Sequence, residues 1–198
     1  MLESAEKWAS TPCGLLSLQG RSDLHLDDAA LSTRLKALGR PNQTGHHSLS
    51  GIVLRGASGR RIQPEQATVS IEGGLHGDRW AEGKANPSNQ ISMMNVHIAH
   101  AIANGQSVAL FGDNLFTDLD LSEAVLPVGT HLQVGAVLLR VSEEPHVPCG
   151  QFRDRFGPSA FVRAAKQPRI RGVYLTVVRG GLMSLGDAVA VHHALRTF

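Results

Sequence analysis

The sequence predicts a mainly β, α+β fold, a mixed or antiparallel β-barrel with helices at its periphery. Three observations predict it. Apolar residues alternate or cluster in many runs of about five to seven residues, a length that suits strands better than helices. Twenty-one glycines in 198 residues punctuate those runs as turn signals. Few stretches carry a helical period, and many short strands with few helices make a closed or nearly closed sheet the economical way to bury them.

Taken in order, residues 1–48 read as an N-terminal extension with one helix, and residues 49–198 as the barrel domain. Thr11-Pro12-Cys13-Gly14 is turn chemistry. The helix spans Asp27 to Leu38, with acids in its first turn, Leu31, Leu35 and Leu38 at helical spacing, and Gly39 and Pro41 to stop it. From Gly51 the pattern turns to strands: Leu49–Leu54, Ala67–Ile71 and Gln90–Met94. Asn95 caps a helix over Val96–Ala103 that ends at Asn104-Gly105. Strands follow at Leu115–Leu121, Thr130–Val134 and Ala136–Val141, with a tight hairpin or bulge at Gly135. A short helix over Ala160–Lys166 is closed by Pro168. Val173–Val178 and Ala188–His192 complete the set, joined through the Gly180-Gly181 turn and the Gly186-Asp187 corner.

Composition narrows the function classes. Hydrophobic content of 42% with 18% charged residues describes a soluble globular chain. No run approaches the ~20 apolar residues of a membrane span, and the acidic start Met1-Leu2-Glu3-Ser4-Ala5-Glu6 is unlike a signal peptide. Two cysteines, Cys13 and Cys149, fit a reducing cytoplasm better than a disulfide framework. A net charge of +2 and nine aromatics argue against a nucleic-acid binder. His97 and His100 share a helix face but lack the further ligands and glutamate of a helical zinc motif, and His46-His47 lies in a polar loop.

The stretch richest in chemistry is Val147-Pro148-Cys149-Gly150. It opens a segment, Gly150 to Gly180, that holds seven Lys/Arg and one acid, although the whole chain is only +2. Nearby cations favour a thiolate over a thiol, and a thiolate attacks electrophiles and binds soft metals. The plain alternative is an ordinary cysteine at a strand end before a solvated basic loop. Two further glycine-anchored segments stand upstream: Gly73 to Trp80, which carries His76, Asp78 and Arg79, and Phe111-Gly112-Asp113-Asn114-Leu115.

Their order resembles the MOSC family, the domains similar to the C-terminal part of molybdenum cofactor sulfurases. The matching segments are Gly77-Asp78-Arg79, Gly112-Asp113-Asn114-Leu115, Pro148-Cys149, Arg171-Gly172-Val173-Tyr174 and Gly186-Asp187. The resemblance implies a β-barrel and a bound molybdenum cofactor (molybdopterin), with Cys149 as metal ligand and catalytic residue. It implies cofactor contacts from His76, Asp78, Arg79, Asn114, Arg169 and Arg171. The implied activity is reduction of small N-hydroxylated substrates with electrons from a separate reductase, without nucleic acid or membrane as partner. The same cysteine also fits a sulfur carrier working through a persulfide, and the basic face fits a non-catalytic anion-binding module. The chain departs from the family pattern at four places: Asp113 replaces the usual Glu, Trp80 stands where many relatives have His, Asn89 replaces a frequent basic residue, and an Arg-Gly-Gly-Trp-type segment is represented only by Arg171-Gly172-Val173-Tyr174.

Overall fold

A computed structural model describes residues 19–39, 45–83, 85–167 and 169–192. The turn at Cys13 and the stop at Pro168 lie outside those residues. The strands in chain order are β1 (Leu49–Ile52), β2 (Leu54–Arg55), β3 (Arg61–Ile62), β4 (Gln66–Ser70), β5 (Gly74–Leu75), β6 (Ile91–Asn95) and β7 (Leu115–Thr117). They continue as β8 (His131–Val134), β9 (Val137–Val141), β10 (Val173–Arg179), β11 (Gly181–Ser184) and β12 (Val189–His192). The helices are α1 (Asp28–Ala37), α2 (Val96–Ala103), α3 (Gly150–Phe156) and α4 (Pro158–Lys166).

Seven strands form one mixed sheet in the order β1-β7-β6-β10-β9-β8-β12, with β6 and β7 parallel and the other neighbours antiparallel. A bridge between Ser48 and Ala188 brings the two edges together, and Leu49 N–H donates to the Asp187 carbonyl at 2.9 Å. The sheet is thereby nearly closed into a barrel, as the glycine-punctuated strands predict. Smaller sheets, β11-β4-β5 and β2-β3, flank it.

Strand alternation sorts the core into two layers. Met93 of β6 and Leu115 of β7 point into the barrel with Leu49, Ile91, Leu132, Leu139 and Leu175. Their neighbours Met94 and Phe116 point outward, under α1 to α4, and pack with Leu31, Phe111, Phe152 and Phe156. Strand β6 is therefore buried along its whole length, which explains why Ile91-Ser92-Met93-Met94 reads as an unbroken run. Helix α1 starts where expected: the Asp27 carboxylate accepts from Ala30 N–H at 2.7 Å. Asn95 caps α2 by accepting from the N–H groups of His97 and Ile98.

Several boundaries differ from the sequence reading, each for a local reason. The strand expected over Leu49–Leu54 breaks at Val53, whose N–H is drawn to the Asn114 carbonyl at 2.7 Å. The strand expected over Leu115–Leu121 ends at Thr117. There the Thr117 hydroxyl accepts from Leu119 N–H and the Asp120 carboxylate accepts from Ser122 N–H, turning the chain. The segment after Cys149 is a helix, α3, with Phe152, Arg155 and Phe156 on its buried face.

Candidate functional site

Loops at the ends of β2, β5, β6, β7 and β10 carry the candidate residues, and two buried ion pairs hold those loops together. In the first, Asp78 (after β5) accepts from both Nε and Nη2 of Arg55 on β2, at 3.0 and 2.7 Å, and from Arg55 N–H at 2.7 Å. Burial favours the neutral acid, but the Arg55 hydrogen bonds and charge outweigh it, so the Asp78 pKa falls and that of Arg55 rises. Asn114 Nδ2 donates to the same carboxylate at 3.0 Å and to the Val53 carbonyl at 3.2 Å. Asn114 Oδ1 accepts from Ser92 N–H and Ser92 Oγ, so all the usual hydrogen bonds of this fully buried amide go to the protein.

The second pair is Asp113 with Arg171, Nη1 to Oδ2 at 2.5 Å, both almost fully buried. The guanidinium sits over the Phe111–Phe152 pair, 5.7 and 5.0 Å from ring centroids that are themselves 5.8 Å apart. Its Nη2 donates to Nε2 of His146 at 3.2 Å, and His146 Nδ1 lies 3.5 Å from Asp113 Oδ1. An imidazole that accepts at Nε2 is neutral with its proton on Nδ1, which here faces the carboxylate. Burial, opposed by Asp113 and reinforced by Arg171 and Arg55, takes the His146 pKa down to about 4. His146 also packs on Tyr174 at 4.2 Å between ring centroids.

Two glycines permit these approaches. Gly172 has φ +85°, and a β-carbon there would sit 1.9 Å from the Met93 carbonyl oxygen. Gly112, at φ +74°, leaves room for the Arg61 guanidinium, 3.3 Å from where its β-carbon would be.

Cys149 is exposed at the N-terminus of α3. Around it the positive charge is concentrated. Arg155, on the buried face of α3, donates to the Leu110 carbonyl at 2.8 Å and lies within the electrostatic range of Cys149 and Arg79. Arg61 on β3 is only 6% exposed, donates Nη1 to the Gly59 and Arg60 carbonyls, and leaves Nε buried without a partner. Burial first, then the charges of Arg155, Arg79 and Arg55, pull its pKa down to about 10. A buried arginine crowded by like charges is costly unless an opposite charge compensates it.

The structure thus brings Asp78, Arg79, Asn114, Cys149 and Arg171 into one region, where Asp78, Asn114 and Arg171 brace the loops. His76 is exposed outside that group and contacts the Ser70 hydroxyl at 3.1 Å. Arg169 stands apart as well, with Glu123 as its nearest acid, 4.0 Å away. Sequence reasoning missed Arg55, Arg61, His146 and Arg155. Only Arg155 left a usable signal, its spacing of three and one residues from the apolar Phe152 and Phe156. Two departures from the family pattern meet in space: Trp80 Nε1 donates to Asn89 Oδ1 at 3.3 Å, and Asn89 Nδ2 donates to Glu144 at 3.3 Å. Among the described residues no three His, Cys, Asp or Glu side chains converge as a metal-binding group, and no helix is long and apolar enough to cross a membrane.

The MOSC domain profile matches residues 75–190. The fold is similar to that of the YuaD protein from Bacillus subtilis, with a TM-score of 0.59 and 20% identity over 76% of this chain and 97% of that one. It is also similar to that of YiiM from Escherichia coli, with a TM-score of 0.54 and 20% identity over 75% of this chain and 71% of that one. No curated protein matches the sequence.

Proposed function

The chain belongs to the MOSC domain family, which is associated with molybdenum-cofactor binding, and from that premise we propose that it is an oxidoreductase that uses this cofactor to reduce small N-hydroxylated compounds. The observation that carries the reading is the arginine group beside Cys149. Arg61 is buried, has an unbonded Nε and lies within the field of the Arg155 and Arg79 charges. That arrangement suits a bound anion, and the phosphate of a pterin is one.

Arg61, Arg79 and Arg155 would hold the phosphate, and the Cys149 thiolate is a fitting soft ligand for molybdenum. When bound, the group supplies a metal centre that exchanges electrons with the substrate. The remaining residues position the site. Asp113, Arg171 and neutral His146 lock the loops before β7 and β10 to the segment leading to Cys149. Asp78, Arg55 and Asn114 do the same for β2 and the turn after β5. Reduction of an N–OH bond consumes two electrons, drawn from a separate reductase, and two protons, and releases water.

The test is metal and sulfur analysis of the full chain purified from a cofactor-producing host. Near-stoichiometric molybdenum and amidoxime reduction with a chemical reductant are expected. Cys149→Ser should abolish the reduction and keep the parent melting temperature, because Cys149 is exposed. Arg61→Gln should lower molybdenum content at least about tenfold, the scale of one charge-assisted hydrogen bond. Labile sulfur on Cys149 without molybdenum would assign a sulfur carrier instead, and neither would leave an anion-binding module.

A further inference from the structure

A cleft of about 720 Å³ opens between the C-terminal end of α1, the start of α2, the loop after β7 and the turn before β10. We propose that it is a binding site, separate from the Cys149 region, for a small carboxylate with an apolar body, anchored on Arg169.

The residue that directs this inference is unusual in its backbone. Arg169 has φ +74°, a left-handed conformation shared among the described non-glycine residues only by Ser58 and Asn104. Arginine gains nothing from that conformation, whereas glycine would adopt it freely. Strain of this kind points to what the side chain does. The side chain is 15% exposed, lines the cleft, and has its Nη1 buried with no hydrogen-bond partner. Burial lowers its pKa, and Glu123, 4.0 Å from Nε and itself 74% exposed, offsets only part of that. The cleft is therefore lined by a largely covered cation whose Nη1 has no partner among the described residues.

The surrounding chemistry selects the ligand. Leu35, Leu38, Ile98, Leu121 and Ile170 provide apolar walls, and the volume is in the range of small-molecule sites. The N–H groups at the start of α2 are already taken by the Asn95 side chain, so the anchor for an anion is the guanidinium and not the helix end. Asp120, held to Ser122 N–H at 2.9 Å, also lines the cleft, and Glu123 stands beside Arg169. Two acids near one arginine disfavour a dianion such as a phosphate monoester and tolerate a monoanion better. A carboxylate head against Arg169 with an aliphatic or aryl body on the leucine and isoleucine walls matches the cation and the apolar lining. None of the residues that line this cleft belongs to the group of Arg55, Arg61, Arg79, Arg155 and Cys149.

Calorimetric titration of the full chain with octanoate tests the proposal. Saturable binding at one site is expected, with octyl phosphate and 1-octanol each weaker. Arg169→Gly should weaken octanoate at least about tenfold, as loss of a charge-assisted bond does, while keeping or raising the melting temperature, since glycine fits the backbone. Glu123→Gln should tighten binding by freeing the guanidinium, and Cys149→Ser should leave it unchanged. No binding to the parent chain, equal binding by Arg169→Gly, or equal binding of 1-octanol overturns the site. Equal binding of octyl phosphate overturns the carboxylate assignment, and loss of binding in Cys149→Ser overturns its separateness.

Discussion

Replacing Arg171 with methionine should destabilise the fold strongly at neutral pH, and the deficit should shrink in acid. Asp113 is 0% exposed, and its bonded counter-ion is the Arg171 guanidinium. Removing one partner of such a pair typically costs about 3–5 kcal/mol, because the other charge stays buried. Methionine fills similar space beside Met94, Phe111 and Phe152, so little of the loss is packing. The double variant Arg171→Met/Asp113→Asn should recover most of the stability. The pH dependence follows from His146. Its folded pKa of about 4 lies below the ordinary 6.5, so between those values the unfolded chain takes up a proton that the folded chain refuses. Stability from this group is thus complete above pH 6.5 and falls as pH drops, by roughly 3 kcal/mol in total by pH 4 at about 1.4 kcal/mol per unit. Without Arg171, a charge that repels the imidazolium is gone while Asp113 still attracts it. The folded His146 pKa then rises, and the stabilities of parent and variant converge as pH falls from 7 to 4.5. Urea denaturation followed by tryptophan fluorescence at three pH values measures this. A variant within about 1 kcal/mol of the parent at pH 7, the ordinary range of surface changes, or parallel pH curves, would refute the reasoning.

Two further outcomes are expected of the loops. Asn114→Ala removes the acceptor for Ser92 and the donor to Val53 and Asp78 together, and should cost about 2–4 kcal/mol by thermal denaturation. A melting temperature equal to the parent's would show that water replaces the amide. Gly172→Ala drives a β-carbon to 1.9 Å from the Met93 oxygen at φ +85°, and should cost about 3 kcal/mol or more. It should also displace Arg171, seen as loss of the slow-exchanging amides of β6 and β10, and unchanged exchange would contradict the close packing.

The architecture was legible where a single period governs a segment. Alternation located the barrel strands to within a few residues, and the Asn95 cap placed the start of α2. Helix α3 was not read because its buried face is only Phe152, Arg155 and Phe156, and an arginine in a buried position breaks the apolar pattern. Strand β11 escaped because it opens on Gly181, half of the Gly180-Gly181 pair that reads as a turn, and leaves only Leu182-Met183-Ser184 to carry a pattern. At the site, Asp78 and Cys149 were visible through their glycine and proline neighbours. Arg61 and His146 were not, since their significance arises from burial beside residues distant in sequence. Arg61 gains its role from Gly112, 51 positions away, and His146 gains its neutrality from Asp113 and Arg171.

The bridge between Ser48 and Ala188 has a consequence for how the chain reaches this state. The last described strand, β12, pairs with β8 and meets β1 through that bridge, with Val189 N–H donating to the His47 carbonyl at 2.8 Å. Until β12 arrives, β1 and β8 both present open hydrogen-bonding edges, and the contacts that seal them span nearly the whole described chain. Such long-range closure is slow compared with hairpin formation. During synthesis every strand made before β12 leaves those two edges unpaired by it, and an unpaired edge is a template for edge-to-edge association.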